Sequence, residues 1–298
     1  FFGSQAMAQV QVKRSFPSAK RISAFDNTTF CTAFLSDGSL LTIRDIPIVD
    51  LRDVDKIAFN PTGSSLALMR GKKPVSIYSF RDRNKKLFEL KEQRKSKELK
   101  GRKNLNFFVP GPVGAELMKD ASKGDIVPVA MCYGADARNF LVSNSLGEII
   151  VYDTKAYLPQ AYIQGKAVAT AITMSPNNYF IAAGTGKNID IWNFQTKELR
   201  TSLPMPAEVT ELVFSADASQ MAVVTADKRL TIFDTKTWDK VDIFDKIGGT
   251  LTSPSFHPDG KYISVVKDGN AIVIMNLKNS VPEQTLDENP GGVTGSRF

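Results

Sequence analysis

One histidine in 298 residues leaves little room for the commonest catalytic chemistries. A zinc site built on imidazoles needs several, and a Ser-His-Asp arrangement would have to run through His257 alone. That residue stands in the turn-forming run His257-Pro258-Asp259-Gly260, and we read it as a turn residue. Cysteine is almost as scarce, with Cys31 and Cys132 the two thiols. Each falls in an apolar β-type run where a thiol serves as a small hydrophobe, and neither a disulfide framework nor a metal-binding spacing can be built from them. No apolar run reaches the 18 residues or so of a membrane-spanning helix. Gly-rich phosphate loops and calcium-loop signatures are missing too. We therefore assign no catalytic or metal-binding residue and expect no cofactor.

What the chain has in quantity is short β-type runs separated by turn formers. The clearest set lies between Val209 and Asp234: VTELVF, then MAVVT, then RLTIF, with SADAS and ADK between them. Three strands of this size cannot cover both of their faces, so such a unit has to stack on copies of itself. Copies recur along the chain. The residue closing the first run of each is Phe25, Phe59, Tyr133, Met174, Phe214, Phe256 or Phe298, with successive steps of 34, 74, 41, 40, 42 and 42 residues. A turn follows, as in Asn60-Pro61-Thr62-Gly63, Ser175-Pro176-Asn177-Asn178 or His257-Pro258-Asp259-Gly260, where Pro presets the first dihedral and Asn, Asp or Gly tolerates the next. A hairpin completes each unit and ends on a large apolar residue and then a short polar one: Tyr152-Asp153, Trp192-Asn193, Phe233-Asp234 and Met275-Asn276.

In these residues the chain resembles the WD40-repeat β-propeller family. Trp192-Asn193 and Phe233-Asp234 stand at the family's Trp-Asp position, and His257-Pro258-Asp259-Gly260-Lys261 is similar to its Ser-Pro-Asp-Gly-Lys turn. The likeness covers roughly residues 20–80 and 127–298 and rests on several weak motifs in register. The Gly-His dipeptide that opens a typical repeat is lacking, so the family's buried Asp-His-Ser/Thr-Trp network is not carried over. The fold this implies is all-β, a WD40-like β-propeller of six to seven blades, the last incomplete, over 9–298. Val293 to Phe298 reads either as the first strand of an unfinished seventh unit or as the strand that closes a six-bladed ring. Residues 1–8, FFGSQAMA, read as the remnant of a secretory signal whose small residues Ala6 and Ala8 flank Met7, which implies a protein secreted or held in the periplasm.

The 74-residue step marks an addition at about 81–126. Arg81 to Lys103 carries 11 Lys/Arg against 4 Asp/Glu, a net of +7, and the whole chain is also +7, so all the excess basicity is local. This stretch reads as a degenerate blade, as a surface insertion with Lys86 to Leu99 a short helix or long hairpin, or as a docking patch, with Arg94, Lys95 and Lys97 among its cations, for an acidic partner, an anionic glycan or nucleic acid. Phe88 is the one aromatic within it, so stacking on nucleic-acid bases is not supported and no nucleic-acid partner is expected. The connections between second and third strands gather at one face and hold Asp37, Arg70, Lys72, Lys73, Asn144, Glu148, Lys187, Asp227, Lys228, Arg229, Lys267 and Asp268. The basic members, Arg70, Lys72, Lys73, Lys187, Lys228, Arg229 and Lys267, are the candidate partner-binding residues, and the partner expected is an acidic protein. Two functions follow. One is a non-catalytic protein-interaction scaffold; the other is a lactonase-like hydrolase, or an accessory domain of a larger secreted enzyme, which would place convergent carboxylates at the channel mouth.

Overall fold

The structure, a computed structural model, describes residues 54–62, 64–79, 86–90, 126–245 and 247–286 in full, and the backbone of Ala19–Ala24, Cys31–Leu35 and Leu40–Thr42. All regular structure among them is antiparallel β-sheet. Sheet 1 holds the last three segments. Sheet 2 is Lys56–Phe59, Ser65–Met69, Val75–Ser79 and Lys86–Leu90. Sheet 3 is Pro128–Tyr133, Asn139–Asn144, Glu148–Asp153 and Pro159–Gln164. Sheet 4 is Ala171–Met174, Phe180–Gly184, Asn188–Asn193 and Leu199–Pro204. Sheet 5 is Val209–Phe214, Gln220–Thr225, Arg229–Asp234 and Lys240–Phe244. Sheet 6 is Leu251–Phe256, Tyr262–Lys267, Ala271–Asn276 and Val281–Leu286. In each four-stranded sheet neighbouring strands are neighbours in sequence, so every unit is a meander.

The repeat is a repeat of register. Phe59 pairs with Leu66, Tyr133 with Phe140, Met174 with Ile181, Phe214 with Met221 and Phe256 with Ile263. The last residue of the first strand thus faces the second residue of the next strand in all five. Met174 packs with Leu141, Ile149 and Val151 of the preceding sheet, Phe214 with Ile189 and Ile191, and Phe256 with Leu230 and Ile232. Met131 and Tyr133 of sheet 3 likewise join Ala67, Val75 and Ile77 of sheet 2. The core is therefore a series of layers between consecutive sheets, and first strands of adjacent sheets lie side by side. This is the arrangement of a WD40-like propeller.

Burial is highest in the second and third strands and lowest in the fourth, and sequence follows burial. The second strands, such as Ser65–Met69 and Asn139–Asn144, are buried along their whole length because a sheet covers each face, and they read as continuous apolar or small runs. Fourth strands alternate, as Leu199–Pro204 does, with exposed residues every second place. Their weak apolar signal hides them in the sequence, where three strands per unit are legible and four exist. All five described fourth strands also carry a bulge in one position, at Leu87, Gln160, Arg200, Val241 and Glu283. A bulge bends the outer edge and spoils its ladder, which protects it from pairing with another chain.

One expectation is corrected here. Lys86–Leu90 is not helical but the fourth strand of sheet 2, with Ile77 opposite Phe88, while 91–99 of the same expected segment lie outside the described residues. Gly184 ends the second strand of sheet 4, and a Cβ there would lie 2.7 Å from Val209 Cγ1 of the next sheet, so its small size is what lets the two sheets approach. Gly186, two residues on, is the turn glycine, at φ +66°. Residues 1–8, 91–125 and 293–298, with the readings placed on them, lie outside the described residues.

Candidate interaction face

Antiparallel meanders sort their connections by end. Turns from first to second and from third to fourth strand share one end; turns from second to third strand share the other with the links between sheets. At the first end one set of polar side chains closes the turns. Asp153 and Asp234 each accept backbone N–H bonds from the residues two and three places on, at 2.8–3.0 Å. Asn193 and Asn276 do the same work in sheets 4 and 6. Ser175 and Ser215 accept the N–H groups of Phe180 and Gln220 at 2.9 Å. His257 occupies the serine's place. Its Nδ1 accepts the Asp259 N–H at 3.2 Å and lies 2.7 Å from Asp259 Oδ1, which is turn duty as the sequence suggests. Backbone N–H donors hold the Asp153, Asp234 and Asp259 carboxyls below the ordinary carboxylate range, and the Ser215 hydroxyl does the same for Asp217.

At this end the sequence reading missed a repeated device. Asp153-Thr154-Lys155-Ala156-Tyr157 and Asp234-Thr235-Lys236-Thr237-Trp238 both end on a bulky aromatic in the left-handed region, at φ +53° and +64°. Each aromatic reaches the preceding sheet. Trp238 meets Phe180 edge-on with ring centres 5.1 Å apart; Tyr157 lies 5.1 Å from Phe88 and 3.2 Å, oxygen to oxygen, from Ser65. The spelling Asp-Thr-Lys-x-aromatic was the signal that could have found them.

The other end is stitched together by backbone. Met205 N–H donates to the Lys187 carbonyl at 2.8 Å, Val209 to Gly186 at 2.9 Å, Ala226 to Glu208 at 2.8 Å and Gly165 to Gly147 at 2.8 Å. Links between sheets and turns within sheets thus form one hydrogen-bonded surface. Lys72, Lys73, Lys187, Lys228 and Arg229 are exposed on it, and Arg70 and Lys267 are half-buried. Three acidic side chains there are engaged by their own surroundings, whereas Asp245, in the link between sheets 5 and 6, is exposed. Asp55 accepts the Gly71 N–H, Asp268 accepts the Thr250 N–H at 2.7 Å, and Asp227 takes the Thr225 hydroxyl and lies 3.4 Å from Arg229. Asn144 and Glu148, expected on this face, are 2% and 1% exposed instead; the Asn144 amide donates to Glu148 at 3.0 Å. Asp37, Arg94, Lys95 and Lys97 lie outside the described residues.

Burial pushes the Cys132 thiol up to about 12 and raises the phenols of Tyr133 and Tyr157, all three within the sheet layers. Among the described residues no group of three His, Cys, Asp or Glu could hold a metal ion. No helix among them is long and apolar enough to cross a membrane.

Fold and face together define an all-β repeat protein of WD40-like propeller type. No protein-family model matches the chain. It is similar to the Periodic tryptophan protein 2 homolog of Dictyostelium discoideum, 29% identical over 132 residues, which is 37% of this chain and 14% of that protein. Similarity to that relative is compatible with the WD40-like reading of the sheets.

Proposed function

We propose that this protein is a non-catalytic scaffold that receives a protein partner, through an acidic segment, on the face formed by the second-to-third-strand turns. The observation that carries this reading is an imbalance of availability. Lys72, Lys73, Lys187 and Lys228 are exposed, while Asp55, Asp227 and Asp268 on the same face are bound to backbone or a neighbouring side chain, which leaves Asp245 and the half-buried Glu208 as the acidic groups against them. Pre-formed cations of one sign raise the association rate and select the partner's charge, and a stitched surface loses little conformational freedom on binding. The partial likeness to the Dictyostelium protein supports a repeat-protein role in general terms.

The test is fluorescence anisotropy with a labelled peptide of mixed Asp and Glu and a neutral peptide of equal length. The acidic peptide should bind in preference, more weakly as salt rises, and the double variant Lys187→Glu/Lys228→Glu should weaken it by roughly tenfold or more. Equal binding of both peptides, or an unchanged double variant, would remove this face from consideration.

A further inference from the structure

Two charged side chains on first strands are spent inside the molecule, and each meets a fault in the next sheet. Sheet 3's first strand is bulged between Pro128 and Ala130, which takes Val129 out of the ladder. Lys56 of sheet 2 donates from Nζ to the Val129 carbonyl at 3.0 Å and to the Thr170 carbonyl, just ahead of sheet 4, at 3.3 Å. Sheet 6's first strand is irregular between Thr252 and Ser255, and Ser253 sits in the left-handed region at φ +51°. Glu211 of sheet 5 accepts the Ser253 N–H at 2.9 Å. The signs match the faults: an ammonium for the Val129 carbonyl, a carboxylate for the Ser253 N–H.

Lys56 and Glu211 occupy one position of the repeat. Each stands three residues before the end of its first strand, where sheets 3 and 4 have Ala130 and Ala171, 3% and 9% exposed. Those small residues leave room for a four-carbon stem to pass from sheet 2 to the backbone ahead of sheet 4. At its far end the stem meets a link already held by another sheet. The Ser143 hydroxyl of sheet 3 donates to the Ala169 carbonyl at 2.7 Å, next to the Thr170 carbonyl that Lys56 takes. The link from Gly165 to Thr170 borders the proposed interaction face and carries the exposed Lys166.

We propose that Lys56 and Glu211 are oppositely charged latches between sheets, each satisfying a backbone group released by irregularity in its neighbour, and that Lys56, through its second bond to the Thr170 carbonyl, fixes the link between sheets 3 and 4 at the interaction face. The latching itself does not depend on what the face binds. Its bearing on binding rests on the scaffold reading above.

Hydrogen exchange of the intact chain, read by mass spectrometry, separates the two. In Lys56→Met the amides of 127–133 and 165–174 should exchange roughly tenfold faster or more, with 251–256 unchanged. In Glu211→Leu the pattern should reverse, with 251–256 accelerated and the other two segments as in the native chain. Glu211→Gln keeps an oxygen acceptor and should restore most of the protection. Unchanged exchange in the named segments, a uniform rise over every sheet, or a Glu211→Gln variant as exposed as Glu211→Leu would each overturn the latch. If Lys56→Met does not fold, the Leu and Gln variants at Glu211 still have to differ. Local acceleration with acidic-peptide affinity intact would keep the latch and remove only its bearing on the face.

Discussion

Trp192 is 3% exposed and packs with Leu141, Ile149 and Val151 of the preceding sheet, so a large ring fills the layer between sheets 3 and 4. Trp192→Ala should cost about 3–5 kcal/mol, because the cavity left between two sheets cannot collapse fully; the shift in the urea midpoint at constant slope measures it. Gly184→Ala tests the opposite error. One methyl added 2.7 Å from Val209 Cγ1 has to push two sheets apart, and a loss of about 1–3 kcal/mol is expected in the same assay. Ala137 points the other way. It stands at φ +58° where sheet 6 has Gly260 at +71°, and Ala137→Gly should be stabilising by about 0.5–1 kcal/mol in thermal unfolding. Residue roles that depend on burial in a repeat were legible beforehand, Trp192 and the index aromatics among them. Lys56 and Glu211 were not, because their partners are backbone atoms of other sheets that no spacing in the sequence reveals.

At the scale of the turn, Asp153 and Asp234 differ from Asn193 and Asn276 in one respect: a carboxylate can be protonated. Their backbone donors depress both carboxyls below the ordinary 3.8, so folding favours the ionised form. That contribution is complete above the unfolded-state value and disappears as pH falls through the lower folded-state value. The melting temperature should therefore hold between about pH 7 and pH 5 and fall below about pH 4. Sheets 4 and 6 already close this turn with an amide, so the double variant Asp153→Asn/Asp234→Asn should fold and show a shallower acid decline. Strands bounded by Pro, Asn, Asp and Gly, with continuous apolar cores, could be drawn from sequence nearly to the residue. Fourth strands such as Leu199–Pro204 could not, since a strand with one wet face and a bulge reads like a loop.

Over the whole molecule, stability is divided among layers between consecutive sheets, each with its own apolar cluster. The fourth strand of sheet 2 shows what this division means for the basic stretch. Phe88 and Leu90 pack with Val75, Ile77 and Tyr157 in the layer between sheets 2 and 3. Removing residues 91–103 should leave the unfolding transition cooperative with little change in midpoint. Extending the deletion through Lys86–Leu90 bares the edge of Val75–Ser79 and should broaden or lower the transition, read by circular dichroism against urea. The net charge near +7 makes the first deletion informative about partners as well, since it takes most of the excess basicity with it.

The sequence by itself determined the β class, the beat of about 40 residues and the residues that face the layers. Local turn chemistry and apolar patterning are written in consecutive residues. Only the tertiary structure decided which charges are available to a partner. Glu148 disappears into its own turn, Lys56 is spent on a carbonyl in the first strand of sheet 3 and one just ahead of sheet 4, and Lys187 and Lys228 stay in water, because availability depends on what the neighbouring sheet places opposite each side chain.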